Sequence, residues 1–272
     1  MSATSATNHR KTENRRAPRS VPHLFSCWKD ISRRVRAARE IRLFLDFDGT
    51  LTPHSPYPDS VTLDEEMKAA IGRIAGHHRV RVGIMSGRRR ATLQRLVRIP
   101  HVEFYGLYGW ENGNGIDISI LTALHLREIL DAMAEHSAEM RGIEIEDKGA
   151  SVAIHFRDTT QASRRAAARI IRKSVSDSNG ALRVVETGSA WDVVPGHVQG
   201  KGAAIRRVLE NSTRSFLPIY LGDDISDEPA FEELRRGITV RIGAARRTDA
   251  HYRLRNPEEV LEFLKRLEKE LP

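Results

Sequence analysis

Apolar residues along this chain change rhythm repeatedly, and each change marks an element. Leu24, Trp28, Ile31 and Val35 recur at helical spacing with arginines between them, which predicts an amphipathic helix whose stripe packs on the body of the protein. The dense run Ile41–Phe47 then ends in acids and Gly49, the pattern of a buried strand entering a loop. A helical pattern over Leu63–His78 follows, then a strand over Val80–Met85 that closes at Ser86-Gly87-Arg88, another helix, and a strand near Glu103–Leu107. Strands alternating with helices predict a parallel, doubly wound sheet. Ligands of such sheets bind beyond the carboxyl ends of the strands. The loops Asp46–Thr52 and Ser86–Arg88 should therefore share one rim.

The middle of the chain has a shorter beat. Ile116–Ser119, Ile143–Asp147, Ser151–Arg157, Leu182–Glu186 and Ala190–Val194 look like short strands, with helical patterns over Ala123–Ala138 and Ala162–Asp177. A mostly antiparallel sheet with two helices predicts an inserted module. The parallel rhythm resumes with a helix after Gly200-Lys201-Gly202, a strand over Phe216–Leu221, a helix near Glu228–Arg235 and a strand over Ile238–Ile242. A last helix carries its own start signal in Asn256, Pro257 and Glu259. This organisation divides the chain into a basic tail with an amphipathic helix (1–38), a core in two pieces (39–111 and 197–272) and an inserted cap (112–196).

Composition narrows the class. With 272 residues, 40% of them hydrophobic, the chain can bury a sizeable core. No apolar run approaches the roughly 18 residues of a membrane span, and the first twenty residues lack the apolar stretch of a secretory leader. A lone Cys27 excludes a disulfide framework within one chain and fits a reducing compartment, so a cytoplasmic location is expected. The net charge of +8 suggests nucleic acid until its position is considered. Residues 1–40 carry +7 of it, leaving +1 for the remaining 232 residues. The body has no basic patch interleaved with aromatics, so nucleic acid is not an expected partner. Residues 1–20, rich in Ser, Thr, Asn and Arg, read as a disordered tail.

Chemistry concentrates at the strand ends. Leu45-Asp46-Phe47-Asp48-Gly49-Thr50 sets two carboxylates two residues apart, which repel unless a cation or a shared proton separates them. Hard oxygen ligands favour Mg²⁺, which commonly contacts substrate phosphate. One aspartate could attack phosphorus while its neighbour moves a proton. Gly49 permits a sharp turn, and Thr50 offers a hydroxyl to a phosphoryl oxygen. A solvated, Asp-rich turn is the plainer alternative for this run alone. Ser86 could donate to a phosphoryl oxygen. Lys201 could offset phosphoryl charge from a helix start. Gly222-Asp223-Asp224-Ile225-Ser226-Asp227-Glu228 gathers acids at another strand end, where they could complete a Mg²⁺ site or merely suit a helix N-terminus.

The order Asp-x-Asp-Gly-Thr, Ser, Lys, Gly-Asp-Asp-x-x-Asp resembles the haloacid-dehalogenase superfamily over residues 41–242. The resemblance implies a Rossmann-like α/β core with a parallel sheet and an inserted α/β cap. It also implies Asp46 as nucleophile and Asp48 as general acid and base. Mg²⁺ would be held by Asp46, the Asp48 carbonyl and Asp223, with Ser86 and Lys201 stabilising the phosphoryl group and Asp224 and Asp227 supporting the acidic cluster.

A narrower similarity, to the trehalose-6-phosphate phosphatase family, rests on further segments. They are Leu45 to Pro53, Ser86-Gly87-Arg88, the Gly106, Gly109, Glu111 run, Lys148 seven residues before His155-Phe156-Arg157, and Thr248 to Leu254 before Asn256-Pro257. It implies a mobile cap closing over a small phosphosugar, with Arg88, Glu111, Lys148, His155, Arg157 and Asp192 facing the substrate, and cooperation with a trehalose-phosphate synthase. Two positions depart from that family: Tyr108 stands where it usually has His, and Asp192-Val193-Val194-Pro195 replaces its Glu-x-Arg-Pro. Another phosphosugar, of the glucosylglycerol phosphate or glycosyl-phosphoglycerate type, is the alternative substrate.

Overall fold

The computed structural model describes residues 21–55, 61–112, 118–156, 159–212, 215–244 and 247–271. Its larger sheet has six parallel strands: β1 (Ile41–Leu45), β2 (Val80–Met85), β3 (Val102–Tyr105), β8 (Leu217–Gly222), β9 (Ile238–Ile242) and β10 (Tyr252–Leu254), in the order β10-β9-β8-β1-β2-β3. The order reverses at β1. Leu45 lies beside Ile84 of β2 and Leu221 of β8, so the ends of three strands converge there.

Both faces of this sheet are covered, which is why its strands are apolar throughout. Ile41, Leu43 and Leu45 point into a core shared with helices α1 (Trp28–Ala37), α2 (Glu65–Ala75), α3 (Arg90–Val97) and α8 (Pro257–Lys269). Phe44, Met85 and Tyr220 pack on the other face against α6 (Lys201–Glu210) and α7 (Glu228–Glu233). The amphipathic stripe near the N-terminus belongs to the first core: Leu24, Ile31 and Val35 are fully buried, and Trp28 meets Phe263 edge-on.

The inserted segment forms a four-stranded antiparallel sheet from β4 (Glu144–Asp147), β5 (Val152–His155), β6 (Leu182–Glu186) and β7 (Ala190–Pro195), in the order β4-β5-β7-β6. Helices α4 (Ile120–Glu135) and α5 (Gln161–Asp177) cover one face, where Val152, Ile154 and Val193 pack with Leu126, Ile129, Ala167 and Ile171. Strand alternation sends the intervening side chains to the opposite face. Glu146, Ala153 and Asp192 lie side by side there, as do Glu144, His155 and Ala190.

Several boundaries differ from the sequence reading. Strand β1 stops at Leu45 rather than Phe47, because the chain turns at Asp46 and doubles back, with Leu51 and Thr52 donating to the Phe47 carbonyl. No strand is described over Ile116–Ser119. Residues 113–117 lie outside the described residues, and Ser119 caps α4 through its hydroxyl. The expected tail over residues 1–20 likewise lies outside them.

Candidate active site

Where β1, β2 and β8 end, the face of the cap sheet opposite its helices looks down on the core across a cleft of about 620 Å³. Its floor is an ion cluster. Lys201, the first residue of α6, is 2% exposed and donates from Nζ to Asp46 Oδ1 at 2.6 Å and to Asp227 Oδ1 at 2.7 Å. Burial alone would lower the lysine's pKa, but the Asp227 and Asp46 carboxylates outweigh it and hold the group above the ordinary lysine value. Asp46, 5% exposed, is pushed well above the usual carboxylate range by burial, against the pull of Lys201 and with the help of the Asp227 and Asp223 charges.

Asp227 accepts three hydrogen bonds. One oxygen accepts from Lys201 and from the Tyr220 hydroxyl at 2.7 Å; the other accepts from the Asp224 amide at 3.0 Å. Asp227 thus positions the lysine, while its carboxylate also stands beside those of Asp46 and Asp223. Asp223 stands differently: its Oδ2 lies 2.8 Å from His54 Nε2, and Thr50 Oγ1 reaches Oδ1 at 3.5 Å. Gly49 makes this approach possible. It sits at φ +85°, and a Cβ there would strike the Asp223 carboxylate.

Oxygens of Asp46, Asp223 and Asp227 lie within 4.8 Å of one another, and one ammonium balances them. Such an excess of hard, negative oxygen suits a small divalent cation. Asp46 Oδ2 has no protein donor among the described residues, so Asp46 and Asp223 are the side chains that fit it.

Asp48 is kept apart from Asp46. The Arg88 guanidinium grips its carboxylate in a two-pronged fork, Nε to Oδ2 and Nη2 to Oδ1, both at 2.7 Å. The two carboxylates thus do not face each other as a mutually repelling pair; each has its own cation. Ser86 is buried beside this fork and its Oγ accepts from the Arg88 amide at 3.1 Å.

Cap residues close the cleft from above. Lys148 Nζ donates to Asp192 Oδ1 at 2.8 Å, and His155 Nε2 lies 3.1 Å from Glu146 Oε2. Burial would raise the Glu146 pKa, but His155 and Lys148 hold it below the usual value. Of the side chains expected from sequence, Asp46, Asp48, Ser86, Arg88, Lys148, His155, Asp192, Lys201, Asp223 and Asp224 line the cleft. Glu111 is turned away: it accepts from the Arg90 amide at 2.7 Å and pairs with Arg89, so it shapes the loop instead of facing the cavity. Thr50 is wholly buried beneath the floor. Arg157 lies outside the described residues.

Four titratable lining residues escaped the sequence reading: His54, Glu146, Arg164 and Arg241. His54 sits four residues past Thr50 on the same loop, so proximity to the first motif could have flagged it. The others had no local signal. Arg164 stacks over Phe156 at 3.9 Å, and Arg241 reaches Glu228 at 3.4 Å.

Comparison with known proteins bears on the family and the fold. A family model described as trehalose-phosphatase matches residues 44–258. "Probable trehalose-phosphate phosphatase D" of Arabidopsis thaliana is 29% identical over 251 residues, covering 84% of this chain and 67% of that protein. "Trehalose 6-phosphate phosphatase RA3" of Zea mays is 28% identical over 255 residues, covering 84% of this chain and 70% of its own length. Among solved structures, the C-terminal domain of C. albicans trehalose-6-phosphate phosphatase superposes with a TM-score of 0.76 at 19% identity, covering 92% of this chain and 98% of that one. At that identity the superposition speaks for the shared fold.

Proposed function

We propose that this chain, which belongs to the trehalose-phosphatase family, hydrolyses trehalose 6-phosphate to trehalose and phosphate through an aspartyl-phosphate. Membership makes it a phosphatase. The observation that carries the proposed chemistry is the buried Lys201–Asp46 contact at 2.6 Å, on the floor of a cleft roofed by polar cap side chains. Lys201 holds the Asp46 carboxylate in place for attack on phosphorus.

In the first step an Asp46 oxygen bonds to phosphorus and the bond from phosphorus to the sugar oxygen breaks. Asp48 gives that oxygen its proton. In the second, Asp48 takes a proton from water, the water oxygen bonds to phosphorus, and the aspartyl oxygen leaves. Arg88 orients Asp48 for both transfers, while Ser86 and Lys201 face the phosphoryl oxygens. Bound Mg²⁺, held by Asp46 and Asp223, would neutralise phosphoryl charge in the loose transition state.

A different phosphosugar is the second reading. It is favoured by one observation: Tyr108 and Asp192, which replace the family's usual His and Glu, contact each other in this chain. The proposal also includes action after a trehalose-phosphate synthase in the cytoplasm. Phosphate release from trehalose 6-phosphate, glucosylglycerol phosphate, glucosyl-phosphoglycerate and glucose 6-phosphate, with and without Mg²⁺, tests it. Preference for trehalose 6-phosphate, dependent on Mg²⁺, is expected; equal rates on all four would defeat the substrate assignment.

A further inference from the structure

Tyr108 belongs to the core and Asp192 to the cap, and the bond between them closes a ring of contacts across the domain junction. Leu107 and Tyr108 both adopt left-handed backbone, at φ 46° and 60°, which bulky residues seldom do. They are held there by the phosphate-side loop, with the Leu107 amide donating to Arg88 O and the Tyr108 amide to Ser86 O, each at 2.9 Å. Observed strain of this kind is a reason to look for a function. The tyrosine ring lies so tightly on Gly87 that a Cβ there would come within 2.8 Å of it.

From that position the Tyr108 hydroxyl donates to Asp192 Oδ2. Lys148 Nζ donates to Oδ1 of the same carboxylate at 2.8 Å and to the Gly87 carbonyl at 3.2 Å. Tyr108 and Asp192 are each 3% exposed and Lys148 is 8% exposed. Both oxygens of Asp192 are therefore engaged by protein, one from the core and one from within the cap, so this carboxylate ties the two parts together across the cleft. Two further bonds cross nearby, from Arg89 to the Lys148 carbonyl and from the Gly188 amide to Asp224 Oδ1 at 2.8 Å.

We propose that Tyr108, Asp192 and Lys148 form a latch that holds the cap on the core before substrate binds, with Tyr108 as the positioning residue that sets the closed position. The latch is independent of which phosphosugar is cleaved. Losing the hydroxyl removes one charge-assisted hydrogen bond, which shifts the closed-to-open ratio by about tenfold. Saturating substrate closes the cap regardless, so the loss should raise KM while leaving kcat nearly unchanged.

The test uses the full chain with Cys27→Ser, Glu65→Cys and Lys173→Cys, carrying a fluorescent donor and acceptor on core and cap. Glu65 and Lys173 side chains are 87% and 81% exposed. Without substrate, Tyr108→Phe should lower the closed-to-open ratio about tenfold. In an Asp192→Ala background the same change should alter it less than about twofold. With the phosphosugar that the parent turns over best, Tyr108→Phe should raise KM by the factor by which the measured closed fraction falls, with kcat within about twofold. An unchanged ratio in Tyr108→Phe, or an equal effect with and without Asp192, overturns the latch. Should Tyr108→Phe fail to fold, Asp192→Ala, which removes both bonds to the carboxylate, must open the cap at least about tenfold, and a parental ratio there refutes it. Failure of trehalose 6-phosphate as substrate would leave the fluorescence result standing.

Discussion

Replacing Lys201 by Met would leave the floor of the cleft with three mutually close carboxylates and no protein cation. The ammonium is 2% exposed and lies 2.6 and 2.7 Å from Asp46 and Asp227. Removing one partner of a buried ion pair costs roughly 3–5 kcal/mol, since the remaining charge stays desolvated. For a chain of this size that corresponds to a melting point roughly 6–20 °C lower. The pH dependence distinguishes this cause from simple loss of packing. Asp46 is already pushed up by burial and held back by Lys201. Without the lysine its folded-state pKa rises further above the unfolded value, so the folded variant binds more protons than the unfolded chain. Its stability then falls as pH rises, by up to about 1.4 kcal/mol per pH unit for each extra proton. The gap between parent and variant should be widest near pH 8 and shrink toward pH 5, measured by calorimetry with a chelator present. Added Mg²⁺ should restore part of the loss. A gap independent of pH, or smaller than about 1 kcal/mol, would refute the electrostatic account.

Four other changes test separate parts. Asp46→Asn should abolish phosphate release, by on the order of a thousandfold or more, and turnover near the parental rate would remove Asp46 as nucleophile. Arg88→Ala should free Asp48 from its fork and lower kcat about a hundredfold for a sugar phosphate. For 4-nitrophenyl phosphate, whose leaving group needs no proton, the drop should be much smaller, and equal losses on both would contradict the acid role. Gly49→Ala should cripple turnover and weaken binding of divalent cation by calorimetric titration, because the new methyl strikes Asp223. Truncation to residue 20 should leave melting point and kcat at parental values. Truncation to residue 38 should lower the melting point by 10 °C or more on the order of magnitude set by three lost core side chains, since it strips Leu24, Ile31 and Val35 from the core.

Local patterns made most of the core legible. Apolar runs ending in acids marked β1 and β8, one ending in Ser86-Gly87-Arg88 marked β2, and the rule for open sheets places their loops on one rim. What escaped was set by distant partners. The strand β10 spans three residues, Tyr252–Leu254, and exists because Val240 to Ile242 lie beside it in parallel register. Of the strand expected over Ile116–Ser119, residues 116 and 117 lie outside the described residues, and Ser119 caps the following helix through the Thr122 amide. Glu111 followed the family spacing but spends its carboxylate on the Arg90 amide and Arg89. Nor could spacing show that Tyr108 and Asp192, 84 residues apart, touch. Each departure from the family pattern looked separate in sequence; in the fold they meet.

The two aspartates of the first motif show how a fold divides labour between identical side chains. They sit two residues apart and would titrate alike in an unfolded chain. Ending β1 at Leu45 sends them to different neighbours. Asp46 drops to the buried floor, where Lys201 immobilises one oxygen. The Asp48 side chain remains 34% exposed, in the fork of an arginine that orients it without isolating it from water. A nucleophile needs a fixed lone pair and protection from solvent; a group that gives a proton and later takes one from water needs access to water. Environments that set paired carboxylates apart are the usual basis for assigning their roles. In the proposed mechanism the buried Asp46 suits attack and the more exposed Asp48 suits proton transfer. Exchanging the environments, not the residue types, is what would exchange the roles.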